Sequence, residues 1–151
     1  MTGDDWAAVI AVAGSLAGWF SETGVASIRV DVRHQEGFVA TDRGEIVGFL
    51  TIGACRDEDV DRATTGEIWG IYLAPSYWRK GIGRFLCGQA EKMLASRGFS
   101  VATLWVLEKN VQARRFYEAM GFAADGVTKE IDLGARLVAV RYSKRLHTEE
   151  G

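Results

Sequence analysis

Leu73 to Gly83 reads LAPSYWRKGIG, and this stretch passes from the end of a β-rich run through a glycine turn into the start of a helix. The run behind it, Gly66 to Ala74 (GEIWGIYLA), is apolar and is closed by Pro75, the chain's single proline, which has no N–H to give a ladder. Ahead of it, Ile82, Phe85, Leu86, Ala90, Met93 and Leu94 recur on one face of a helix that ends at Gly98, a favourable position for closing it. Gly81 and Gly83 let backbone approach a ligand with no Cβ in the way. The unpaired N–H groups of the first helical turn, aided by the helix dipole, suit an anion such as a pyrophosphate. Local charge agrees, since residues 76–115 hold eight basic side chains against two acidic ones in a chain of net charge −2. Neither the GxxxxGK[ST] spacing of a P-loop nor the GxGxxG of a dinucleotide fold is present.

Outward from this turn the periodicities alternate. Phe38 to Thr41 and Ile46 to Ile52 read as strands of a hairpin around Asp42, Arg43 and Gly44. Val101 to Leu107 reads as a buried strand. Ala113, Phe116, Tyr117 and Met120 mark a short helix that ends at Gly121, and Ala123 to Asp132 and Arg136 to Tyr142 flank a turn at Gly134. Upstream, Asp4 caps a helix reaching Phe20, and a second helix is expected from about Glu22 to Asp31. The order ααβββαβαββ predicts an α/β protein of the α+β type. Its mixed central sheet has about six to seven strands flanked by four helices, with a parallel pair on either side of the Ile82 to Arg97 helix.

Composition narrows the class. The chain has 151 residues, 48% hydrophobic and 25% charged, which predicts one domain over 1–146 with a flexible tail at 147–151. The small negative net charge argues against nucleic acid as a partner. Trp6 to Phe20 is uncharged, but it is shorter than the roughly 20 residues a membrane helix needs and follows Asp4 and Asp5, so no membrane is expected. Two cysteines and two histidines give neither a disulfide framework nor a zinc cluster, so no metal and a cytoplasmic location are expected.

Asn110 to Phe122, NVQARRFYEAMGF, adds the second signal. With YWRKGIG it resembles the GCN5-related N-acetyltransferase (GNAT) superfamily, whose members bind acetyl-coenzyme A through an R/Q-x-x-G-x-G/A turn followed by N-x-x-A-x-x-[FL]-Y-x-x-x-G-F. The second motif matches at Asn110, Ala113, Phe116, Tyr117, Gly121 and Phe122, and the resemblance implies a GNAT-like acyl-CoA N-acyltransferase fold. Trp78 departs from the R/Q position. The family's first strand is missing or reduced to a few residues before Asp4, which leaves a sheet edge for a partner chain and makes a homodimer the expectation.

The resemblance implies an N-acetyltransferase that moves the acetyl group of acetyl-CoA to a primary amine, most simply of a small molecule. Acetylation of a protein N-terminus or lysine, or coenzyme A sensing without turnover, are the other readings. Glu67 matches the strand glutamate that some members use as general base; its plain alternative is an exposed strand-end carboxylate. Tyr117 matches the general acid, although its stripe with residues 113, 116 and 120 also fits a core tyrosine. Backbone of Ile71, Tyr72 and Leu73 would pair with pantetheine, and Arg79, Lys80, Gly81, Ile82, Gly83 and Arg84 would hold the phosphates. Asn110 is either near the coenzyme or simply a helix cap. Trp19, Phe20, Trp69 and Tyr72, with the acidic loop of Asp57, Glu58, Asp59 and Asp61, are nominated to receive a cationic acceptor.

Overall fold

The computed structural model describes residues 14–15, 28–33 and 36–147. Eight strands, β1 (Gly14–Ser15), β2 (Ile28–Arg33), β3 (Gly37–Asp42), β4 (Glu45–Ala54), β5 (Thr65–Leu73), β6 (Val101–Leu107), β7 (Ala123–Asp132) and β8 (Arg136–Arg145), accompany two α-helices, α1 (Ile82–Ser96) and α2 (Val111–Ala119). Of these described residues, those up to Gly53 form one compact unit with Gly70–Lys92, and Ala54–Trp69 form a second with residues 93–147.

In the first unit, β1, β2, β3 and β4 follow one another antiparallel, and β4 is the neighbour of β5. The hairpin of β3 and β4 turns where expected, at Asp42 to Glu45, with an irregularity between Ala40 and Thr41. Val30, Val39, Ala40 and Leu50 are fully buried here, as are Ile82, Leu86 and Ala90 of α1, which follow the helical spacing read from the sequence.

The amino-terminal expectation is corrected. Gly14 and Ser15, placed in a helix by periodicity, are strand residues opposite Val32 and Asp31. Ile28 to Asp31, placed in a second helix, belong to β2, paired along its whole length with β3. Its sequence IRVDVR alternates β-branched and charged residues, with Ile28 and Val30 buried, and this period of two outweighs the helix reading. The amino-terminal side of the sheet is thus formed by the chain's own β2, which lies on β3 and is itself paired with β1 only at Asp31 and Val32. The rest of both expected helices, including Trp19 and Phe20, lies outside the described residues, as does the tail from residue 148.

In the second unit, β5 and β6 pair in parallel from Thr65 opposite Val101, β6 pairs antiparallel with β8, and β8 with β7. The parallel pair brackets α1 in the sequence, as expected. That helix closes by a pair of bonds, Gly98 N–H to Ala95 O and Phe99 N–H to Leu94 O, and a Cβ on Gly66 would lie 2.8 Å from the Leu94 side chain and 3.1 Å from the Phe99 ring. A side chain at 66 would therefore have to displace the Leu94 methyl and crowd the Phe99 ring where the helix end packs on β5.

Candidate functional site

The glycine turn is built within the first unit. Strand β5 ends at Leu73, Ala74 N–H donates to Val47 O at 2.8 Å, and Pro75–Tyr77 form a single 3-10 turn. Two side chains fasten this exit. The Trp78 indole N–H donates to Leu73 O at 2.7 Å, and the Tyr77 hydroxyl donates to the Asp42 carboxylate, which pushes the Tyr77 pKa up. Arg79 then adopts φ 62° and Gly81 φ 87°. A left-handed arginine costs on the order of 1 kcal/mol, a strain typical of turns shaped for a ligand. Helix α1 starts with Phe85 N–H donating to Gly81 O at 3.0 Å, so the N–H groups of Ile82, Gly83 and Arg84 precede its first intrahelical bond. Arg79, Lys80, Gly81 and Arg84 are exposed, whereas Ile82 is buried as an anchor. Free N–H groups, backbone without a Cβ and exposed cations together fit a pyrophosphate. Ile71 and Leu73 are half-buried and Tyr72 exposed, its ring stacked 6.2 Å from Phe49.

Glu67 lies in the second unit. It is 2% exposed, so the reading of an exposed strand-end carboxylate does not hold. Thr65 to Ile68 are all buried, so both faces of β5 are covered over its first half. Arg56 is the partner that the sequence reading missed. Its main-chain N–H donates to Glu67 Oε1 at 3.0 Å, and its guanidinium donates to Oε2 at 3.3 Å while lying 4.8 Å above the Trp69 ring. Trp69 is held by its indole N–H on Ala54 O at 3.1 Å. Cys55, beside this loop, is buried; burial pushes its thiol pKa up, and Thr103 donates to its Sγ at 3.3 Å.

Tyr117 and Asn110 belong to α2, and the second motif proves to be largely a set of helix caps. Asn110 Oδ1 accepts the Ala113 N–H at 3.1 Å, an N-cap. At the other end, Gly121 at φ 97° donates to Glu118 O, and Phe122 donates to Tyr117 O, both at 3.0 Å. The buried Tyr117 ring meets Phe116 and Phe122 edge-on, at 5.4 and 6.2 Å. Asn110, Gly121 and Phe122 thus each have a structural reason, and the Tyr117 hydroxyl is the part of this motif that capping does not require. Helix α2 is tied to β8 through the fully buried Tyr142, whose hydroxyl donates to Glu118 at 2.7 Å and accepts from Arg114 Nε at 2.9 Å.

The acidic loop is corrected as an acceptor site. Arg141, 5% exposed, donates to Asp57 at 3.1 Å, to both oxygens of Asp59 at 2.8 Å and to Asp125 at 2.6 Å. Asp57 also accepts from the Trp105 indole, and Asp61 caps its own turn through Ala63 N–H. Three of the four nominated carboxylates therefore serve the loop itself. The available sequence signal was Arg141 inside the apolar run LVAVRY, where a buried charge requires a charged partner. Among the described residues, no group of three or more His, Cys, Asp or Glu could hold a metal ion, and no helix is long and apolar enough to cross a membrane.

A mixed sheet whose parallel strands bracket a helix opened by a glycine turn defines an α/β protein with an anion-binding type of turn. Residues 10–122 match the model of the acetyltransferase (GNAT) family, and the chain belongs to that family. It is 36% identical over 107 residues to the N-acetyltransferase YuaI of Bacillus subtilis, itself uncharacterized, a match covering 64% of this chain and 60% of that protein. A mycothiol acetyltransferase of Amycolatopsis mediterranei is 32% identical over 135 residues, covering 80% of this chain and 43% of that one. The chain thus spans less than two thirds of the length of these relatives. The fold is similar to that of yncA from Salmonella typhimurium, solved with its cofactor acetyl-CoA, at a TM-score of 0.61 and 20% identity, over 89% of this chain and 73% of that one.

Proposed function

We propose that this protein transfers the acetyl group of acetyl-CoA to a primary amine of a small molecule. The observation that carries this reading is the fastened glycine turn, with Gly81 at φ 87° and exposed cations at the start of α1, in a chain of the GNAT family. The turn's N–H groups, with Arg79, Lys80 and Arg84, take the pyrophosphate and 3′-phosphate, and backbone of Ile71 and Tyr72 pairs with pantetheine. The Leu73 backbone joins this pairing, with one lone pair of its carbonyl taken by Trp78.

An amine of pKa about 10.4 is neutral in roughly one molecule in 10³ at pH 7, a deficit of about 4–5 kcal/mol that a base must offset. Glu67, buried and held by Arg56, is assigned that role. The nitrogen attacks the thioester carbonyl, the carbon–sulfur bond breaks, and the departing thiolate takes the Tyr117 hydroxyl proton. With an ordinary pKa near 10, this tyrosine stays protonated at neutral pH until the thiolate departs.

The test is thiol release from acetyl-CoA across polyamines, aminoglycosides, amino acids and N-terminal peptides, with wild type, Tyr117→Phe and Glu67→Gln. One amine class should give turnover, reduced about 10²–10⁴-fold in each variant while coenzyme affinity is kept. Variants as fast as wild type would remove both roles. Tight coenzyme binding with no turnover for any amine would favour the sensing reading, which the tryptophan at position 78 also supports.

A further inference from the structure

The guanidinium of Arg56 occupies a place built for a cation. On one side is the Glu67 carboxylate, whose side chain is 3% exposed; on the other is the face of Trp69, 4.8 Å away. Neither wall depends on the guanidinium for its position. Glu67 Oε1 is held by the Arg56 main-chain N–H, and Trp69 by its indole N–H on Ala54 O. Arg56 itself has a side chain that is 63% exposed, and its contact to Oε2 is the longer of its two bonds to Glu67, at 3.3 against 3.0 Å. A carboxylate facing a fixed indole plane is the chemistry that holds an ammonium ion.

We propose that Arg56 is a displaceable stand-in for the acceptor, whose protonated primary ammonium replaces the guanidinium between Glu67 Oε2 and the Trp69 ring. This deepens the acetyltransfer reading and rests on it for the word acceptor; the cation site itself does not need it. The acceptor arrives as the ammonium ion, the form that dominates at neutral pH, and is held by the carboxylate that then takes its proton. Displacement costs little geometry, because the arginine stem is already largely in water and its head exchanges one cation contact for solvent.

The experiment is calorimetric titration, without coenzyme, of methylguanidinium and n-butylammonium into wild type, Arg56→Gln, Arg56→Ala and the double variant Arg56→Gln with Glu67→Gln. Both single variants keep the main-chain N–H on Glu67. They should bind the two cations about tenfold more tightly than wild type, the size of a partly desolvated cation–aromatic contact, and the double variant should lose that gain. In turnover, Arg56→Gln should lower the KM of the amine and leave that of acetyl-CoA unchanged. Cation affinity equal to or weaker than wild type in Arg56→Gln would overturn the proposal, as would retention of the gain in the double variant. Failure of both single variants to fold would make Arg56 a structural pin rather than a stand-in. Saturable binding of butyrate to wild type, abolished in Arg56→Gln, would instead assign Arg56 to an anionic part of the acceptor and overturn it too. Absence of thiol release with every amine would sink the acetyltransfer reading and leave these isotherms standing; acetylation of n-butylamine without the tenfold gain would sink the stand-in alone.

Discussion

Gly81 is the residue where conformation and ligand demand coincide. Its φ of 87° lies where an L-residue costs about 1–2 kcal/mol, and in the proposed site its backbone faces the phosphates. Gly81→Ala should raise the Kd for coenzyme A at least about tenfold by calorimetry. Unchanged affinity would move the phosphates elsewhere. The glycines were legible as a turn because spacing and local charge survive in the sequence alone. Glu67 was legible only as a charge opening an apolar strand. Its burial and its bonds to Arg56 depend on a loop that leaves β4 and returns to β5, closed by Cys55 N–H on Thr65 O, and no local pattern records that return. Trp78 was read as a departure from the family turn, yet its indole fastens the strand exit by a bond that only the fold brings into range.

At the scale of elements, α2 shows how a family motif can be mostly architecture. If capping is the whole role of Asn110, Asn110→Ala should cost about 1 kcal/mol, lower Tm by roughly 2–4 °C and leave the KM for acetyl-CoA unchanged, with Asn110→Asp restoring stability. A raised KM at unchanged stability would instead place this side chain on the coenzyme. Strands from β3 onward and both helices follow the sequence patterns closely, β6 and β7 to the residue, because each pairs a clear period with glycine, proline or asparagine at its ends. The amino-terminal elements were misread where periods conflict. IRVDVR satisfies a period of two over only six residues, too short a run to stand out until β3 is there to pair with.

For the molecule as a whole, stability in the second unit centres on Arg141, which draws Asp57 and Asp59 of one loop and Asp125 of β7 onto one buried guanidinium. Arg141→Met should destabilise by about 3 kcal/mol, because it leaves partly buried carboxylates facing one another, and lower Tm by roughly 6–12 °C. The Arg141 bonds hold the Asp59 carboxyl below its ordinary range, and the guanidinium stays protonated throughout. A depressed carboxylate contributes its stability above about pH 4 and loses it as pH falls through the folded value, so the variant should show a shallower loss of Tm on the acid side than wild type. An identical acid profile would mean that the network carries no such linkage. Acetyl transfer itself is tested most directly by mass spectrometry of the amine panel after incubation with acetyl-CoA, for wild type and Tyr117→Phe. One amine class should gain a single acetyl group in step with free coenzyme A, and the variant should form it at least about 10²-fold more slowly. Coenzyme A binding at the glycine turn with no acetylated amine from any class would contradict the account.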